Sequence, residues 1–221
     1  MSLFITFEGP DGSGKSTQIG LTAKYLTDQG YHVLCTREPG GTRIGDRIRE
    51  ILHDASHSEM AAQTEVLLYT ASRAQLVQQV ILPHLKRGGI VLCDRYADST
   101  YAYQGYGRQL DFDFLRSLTK FATQALKPDI TIYLDMDVGK GLKRKAAANT
   151  TGQGEWNRMD QLEPDFHQRV RSGYLAMARA EPERWLIIDA AGSVDEVQQI
   201  VRAQLNRLIE QRSANELSPN I

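Results

Sequence analysis

Cysteine is scarce. Of 221 residues only Cys35 and Cys93 are cysteines, each inside an apolar run, which reads as two buried core thiols and excludes a disulfide framework. No apolar run is long enough to cross a membrane, and Met1 to Phe7 carries neither a basic lead nor a stretch of signal-peptide length. A reducing cytoplasm is the expected setting. Charge of one sign is also missing: 26 Lys and Arg against 27 Asp and Glu leave a formal net charge of −1. Such a chain has no global positive field to hold nucleic acid, so affinity for phosphate must come from a local arrangement of donors. There is no internal repeat, and with 41% hydrophobic and 24% charged residues the composition is that of a globular protein. The partners to expect are small molecules, with neither nucleic acid nor membrane among them.

What is present alternates. Apolar runs at Leu3 to Phe7, Tyr31 to Thr36, Ile90 to Cys93, Ile130 to Leu134 and Trp185 to Ile188 are separated by stretches of helical period. Helices are predicted from about Lys15 to Gln29, over Ile44 to Leu52, and from about Thr64 towards Pro83, where Leu67, Leu68, Ala71 and Leu76 would share one face; Gly88 and Gly89 stop the last. This is an α/β pattern: a five-stranded parallel sheet flanked by helices, whose ligands gather at the carboxyl ends of the strands. One domain is expected over residues 1–212, with a loose tail over 213–221. The stretch Ala146 to Glu155 offers little to bury and reads as a flexible lid inserted at about 139–158.

Gly9-Pro10-Asp11-Gly12-Ser13-Gly14-Lys15-Ser16 fits the pattern G-x-x-x-x-G-K-[ST], directly after the first strand and before the first helix. The glycines let such a loop wrap closely, so that backbone N–H groups and the helix N-terminus converge on one phosphate. Lys15 is expected between the β- and γ-phosphates of ATP, the Ser16 hydroxyl on Mg²⁺, and Thr17 completes the nucleotide-binding run. Asp94, ending the third strand, is either a carboxylate near the metal or an N-cap for the next segment. Asp11 is out of place in a loop built for anions. Either a substrate hydroxyl donates to it, or it is a solvated acid on the outside of the loop.

A phosphate loop serves ATPases, switches, motors and small-molecule kinases alike, so the acceptor must be read elsewhere. Tyr69 and Arg73 lie four apart on the long helix, where an aromatic ring can stack on a base while a guanidinium donates to its carbonyl. A core aromatic beside a surface arginine is the plain alternative. Arg37-Glu38-Pro39-Gly40-Gly41-Thr42 follows the second strand, and Asp94-Arg95-Tyr96-Ala97-Asp98-Ser99 runs on to Tyr103-Gln104-Gly105 after the third. With Phe7-Glu8-Gly9-Pro10-Asp11-Gly12-Ser13-Gly14-Lys15-Ser16-Thr17-Gln18, these segments resemble the signatures of thymidylate kinases, and the resemblance runs from Leu3 to about Leu208.

The resemblance implies an enzyme of the P-loop NTPase type. It would use ATP and Mg²⁺ to phosphorylate thymidine monophosphate (dTMP) to dTDP on the route to dTTP, as a cytoplasmic homodimer joined around residues 64–82 and 112–126. It further implies that Arg95 and Arg37 hold the acceptor phosphate, that Asp11 accepts a hydrogen bond from the sugar 3'-hydroxyl, and that Tyr103 crowds the 2' position. Ser99 and Gln104 would help to fix the base, with Pro39 in the same substrate-binding segment. Tyr69 stands where the family usually has phenylalanine. Arg49, on the helix after the Pro-Gly-Gly turn, either faces the nucleoside or is solvated.

Phosphoryl transfer needs cations that converge on the transferred group, yet Pro10, Asp11, Gly12 and Ser13 include none. The lid is the expected source, as in the bacterial subtype of the family. Lys140, Lys143, Arg144, Lys145 and Arg158 flank it, with Arg144 the first candidate and Arg158 the second, against the plain alternative of a solvated basic face. Gly139, Gly141, Gly152 and Gly154 would let it move, and closure would exclude water. Ala191-Gly192-Ser193, after the last strand, either borders the adenine or is a turn before a helix. A GTP switch would carry Asn-Lys-x-Asp, and no Asn-Lys pair occurs.

Overall fold

The computed structural model describes residues 1–150 and 157–217. Five strands, β1 (Leu3–Glu8), β2 (Val33–Arg37), β3 (Ile90–Asp94), β4 (Ile130–Asp135) and β5 (Trp185–Asp189), form one sheet in the order β2-β3-β1-β4-β5. Every pair is parallel. The helices are α1 (Lys15–Asp28), α2 (Arg43–His53), α3 (Ala62–Leu76), α4 (Leu82–Lys86), α5 (Ala97–Thr100), α6 (Phe112–Thr123), α7 (Val138–Thr150), α8 (Pro164–Ala180) and α9 (Val194–Leu217). Wide π-type turns at Val77–Ile81 and Tyr101–Gly107 join α3 to α4 and extend α5.

Residues 3–8 are buried on both faces of the central strand β1, which is why the sequence there is a continuous apolar run rather than an alternation. Leu3, Ile5 and Phe7 pack with Leu92, Ile132, Val201 and Leu205, while Phe4 packs on the opposite face with Leu76, Ile81 and Tyr96. Each such side chain, fully buried, contributes about 1.5 to 3 kcal/mol. The chain leaves β1 for β2 on one side and leaves β3 across β1 for β4 on the other. Those opposed connections open a crevice at the carboxyl ends of the strands. Register brings Phe7 and Arg37 level with Asp94, and Glu8 level with Tyr133, at its floor.

Two expectations are corrected, and two others fall partly outside the described residues. Cys35 is exposed, because β2 is an edge strand with one face open to solvent; only Cys93 is a core thiol. On α3 the buried face is Glu65, Val66, Ser72, Arg73 and Leu76, whereas Leu67 is 52% exposed. The helical period was right, but polar side chains bonded to one another fill the interior there. Of the stretch Ala146 to Glu155, α7 takes in the residues up to Thr150; residues 151–156, with Gly152 and Gly154, lie outside the described residues. Likewise α9 runs past Ser213 to Leu217, and residues 218–221 lie outside. Among the described residues no helix is long and apolar enough to cross a membrane.

Candidate active site

The loop from Gly9 to Gly14 links β1 to α1 at the centre of the crevice, and Lys15 and Ser16 open the helix. Gly9 has φ 140° and a Cβ there would lie 2.6 Å from the carbonyl oxygen of Leu134, so only glycine lets the loop fold back onto β4. Helix α1 starts without a side-chain cap, which leaves its first N–H groups facing the loop, the arrangement that binds an anion. Lys15, 6% exposed, turns its Nζ inward to donate to the carbonyls of Gly9 at 3.0 Å and Pro10 at 3.1 Å. Ser16 Oγ donates to Asp94 Oδ2 at 3.1 Å, which brings a hydroxyl and a carboxylate together at the end of β3.

Asp11 is not a loose acid outside the loop. Its Oδ1 accepts from Arg95 at 2.7 Å and lies 3.5 Å from Lys15 Nζ, and its Oδ2 accepts from Lys145. Burial alone would raise its pKa, but Arg95, Lys15 and Lys145 together hold the carboxyl well below the usual range. Arg95 adopts a left-handed backbone (φ 69°), a conformation that costs a non-glycine residue on the order of 1 kcal/mol. Its amide donates to Phe7 O at 2.9 Å and the next amide, of Tyr96, donates to Glu8 Oε1 at 2.8 Å, and these bonds hold the turn. The guanidinium lies 5.1 Å above the Tyr103 ring.

A cavity of about 570 Å³ opens from this loop and extends towards α3. Lys15, Ser16, Thr17, Pro10, Asp11, Gly12, Gly14, Arg37, Pro39, Arg49, Tyr69, Arg73, Asp94, Arg95, Ser99, Tyr103, Gln104 and Arg144 all line it. Tyr69 and Arg73 are therefore on one face as expected, but Arg73 is no surface arginine. It is 1% exposed, donates through Nε to Glu38 Oε2 at 2.8 Å, through Nη1 to Thr100 at 2.7 Å and through Nη2 to Tyr96 O at 3.0 Å. Gln104 donates to Glu65 at 2.9 Å, while Ser99 donates to Glu8 Oε2 at 2.6 Å. At the mouth, Arg37 pairs with Asp46 at 3.4 Å and Arg49 donates to Pro39 O at 3.2 Å.

The two lid candidates part company. Arg144 lines the cavity from α7, with Nη1 3.4 Å from the carbonyl of Ala190. Arg158 is not brought to the phosphate loop: its Nη2 donates to the buried Glu65 at 2.7 Å and its Nε to Leu52 O at 3.2 Å. The basic side chain that does reach the loop is Lys145, which also donates to Asp160 Oδ1 at 2.7 Å. Gly9 and Ser13 belong to the loop without lining the cavity. Ala191 borders a smaller cavity with Arg144 and Asp189, while Ser193 stands just before α9, its Oγ accepting from Glu196 N at 3.2 Å.

Sequence reasoning passed over Glu8. It is fully buried, accepts from Tyr96 N, Ser99 Oγ and Tyr174 Oη, and burial pushes its pKa up to about 7 against the opposing pull of Arg95. Its signal was present: a carboxylate ending an apolar strand, as Asp94 ends β3 and Asp135 ends β4. Glu38, Asp160 and Tyr174 also line or support the cavity, and only their three-dimensional partners give them meaning.

The thymidylate kinase family model matches residues 7–201. A thymidylate kinase of Roseiflexus castenholzii is 54% identical over 211 residues, with 92% of each chain covered. One of Herpetosiphon aurantiacus is 51% identical over 210 residues, covering 86% of this chain and 89% of the relative. The crystal structure of a thymidylate kinase from Ehrlichia chaffeensis superposes with a TM-score of 0.73 at 34% identity, covering 92% of this chain and 98% of that one. The likeness extends along nearly the whole chain, and this protein belongs to the thymidylate kinase family.

Proposed function

We propose that this chain transfers the γ-phosphoryl group of ATP to dTMP. The observation that carries the reading is Asp11: a carboxylate held at 2.7 Å by Arg95 and standing 3.5 Å from the phosphate-loop ammonium of Lys15. A group that accepts from an acceptor hydroxyl thus stands beside the group that binds donor phosphate. The phosphates of ATP lie along the loop N–H groups, and Lys15 exchanges two neutral carbonyls for anionic oxygens.

Asp11 accepts from the sugar 3'-hydroxyl, Arg95 and Arg37 bind the acceptor phosphate, and Tyr103 crowds the 2' position. Tyr69 stacks on the base, Arg73 donates to it, and Ser99 and Gln104 border it. Arg73 is set for this because Glu38, Thr100 and Tyr96 fix its guanidinium plane and leave an Nη1 N–H to spare. The Ser16 hydroxyl and Asp94 carboxylate are hard oxygen donors in contact, a pair that fits Mg²⁺, which takes one or two protein ligands and completes its shell from phosphates and water. Bound there, the ion would neutralise charge on the transferred phosphate. Arg144 approaches the γ-phosphate from α7 and compensates the charge that builds up in transfer.

Leu67, Phe114 and Phe121 leave apolar surface exposed on α3 and α6, helices that pack side by side, which supports a homodimer through that face. A single domain in the cytoplasm, with α7 as the root of a lid, completes the reading.

The test is a panel of acceptors. Purified protein with Mg-ATP is offered the monophosphates of thymidine, deoxyuridine, uridine, cytidine and guanosine in turn, and ADP release is measured. A preference for dTMP, with dTDP formed in equal amount, is expected. Release that ignores the acceptor would leave an ATPase in its place.

A further inference from the structure

Lys145 stands on α7, and its side chain is 10% exposed. Its ammonium bridges two carboxylates from different parts of the chain: Asp11 Oδ2 in the phosphate loop, and Asp160 in the turn before α8 at 2.6 Å. Asp160 is itself fixed, since its Oδ2 accepts from Asn157 N at 2.8 Å. Below this bridge α7 lies on the loop so closely that a Cβ at Gly12 would be 2.8 Å from Gly141 O, and one at Gly141 would be 3.2 Å from Asp11 O.

Asp11 is consequently clamped from both sides, Oδ1 by Arg95 from the end of β3 and Oδ2 by Lys145 from α7. Two charge-assisted bonds on opposite oxygens fix the plane of a carboxylate, and each oxygen keeps a lone pair for a further donor. We infer that Lys145 is a positioning residue for acceptor recognition: it fixes the carboxylate of Asp11 in the orientation that receives the acceptor's sugar hydroxyl. The inference rests on the reading of Asp11 given above. Without Lys145 the carboxylate of Asp160 faces that of Asp11 with no cation between them, Asp11 keeps Arg95 and Lys15 on its Oδ1 side only and turns away from Asp160, and an oriented bond to a charged acceptor is lost.

The experiment compares dTMP with 3'-deoxythymidine monophosphate, which lacks the donor. For Lys145→Met the KM for dTMP rises about tenfold or more, the loss expected for a hydrogen bond to a charged group, while the KM for ATP stays within twofold. The dissociation constant of dTMP, measured by calorimetry without ATP, rises in parallel. The 3'-deoxy acceptor is little affected, so the preference between the two acceptors collapses, and Lys145→Arg restores much of it. Should the single variant fold poorly, Lys145→Met with Asp160→Asn removes the facing acid and is read in its place. Asp11→Asn is the control. If it abolishes the preference and Lys145→Met leaves it intact, or weakens both acceptors equally, Lys145 has only a structural role and the inference is overturned. If Asp11→Asn itself keeps the preference, the reading of Asp11 falls and takes the inference with it.

Discussion

Glu8 accepts the backbone N–H of Tyr96 at 2.8 Å, a bond inside the core that ties the strand feeding the phosphate loop to the turn that presents Arg95. With the bond from Arg95 N to Phe7 O, this carboxyl group fixes the turn after β3 against the start of the phosphate loop.

That carboxyl makes stability depend on pH. The pKa of Glu8 is raised from 4.5 to about 7, chiefly by burial. A folded-state pKa above the unfolded one means that its contribution to stability is complete below about pH 4.5 and is lost as pH rises to about 7. At about 1.4 kcal/mol per unit, the loss amounts to roughly 3 kcal/mol. Glu8→Gln has no such titration, and its amide meets the Ser99 and Tyr174 hydroxyls, which can accept. Urea unfolding from pH 4.5 to 8 should show the wild type losing stability relative to the variant; parallel curves would refute the assignment.

Arg144 and Arg158 should separate by what they damage. Arg144→Ala lowers kcat by about 10²-fold or more with little change in Tm, because its guanidinium serves the cavity and not the core. Arg158→Met leaves Glu65 with Arg108 and Gln104 only. It should cost about 2 to 3 kcal/mol of stability, below the usual range for breaking a buried pair, and leave kcat within a few fold. A large kcat effect for Arg158→Met at unchanged Tm would return it to the phosphate site.

Arg184 binds the buried Asp98 with two bonds, of 2.7 and 3.0 Å, and donates to Thr131 as well. This pair staples the segment carrying Arg95 and Ser99 to β4. Arg184→Met should destabilise by about 3 kcal/mol, since it strands a buried carboxylate, and adding Asp98→Asn should recover most of that. Additive losses in denaturant titrations would show that the two residues act independently.

The inner strands were legible because burial on both faces demands uninterrupted apolar runs, and each of the five strands ended one residue beyond its run, in an acid or arginine at the crevice. The phosphate loop was legible for a related reason: its glycines answer to backbone geometry, which sequence records directly. What escaped was long-range pairing. Nothing local distinguishes Arg158, bonded across 93 positions to Glu65, from Arg144 at the cavity wall. The same blindness put Leu67 in the core and left Lys145 among several undifferentiated basic residues. Cys35 was misread because an apolar run does not reveal that its strand lies at the edge of the sheet.

The close seating of α7 on Gly12 carries one more implication. With φ at 79° and the Gly141 carbonyl 2.8 Å from where a Cβ would stand, position 12 has no room for a side chain beside α7. An arginine there and a helix-borne arginine here compete for one volume. The absence of a side chain at position 12 is thus a steric consequence of where the helix rests, and a chain that placed an arginine there would have to rebuild α7 as well.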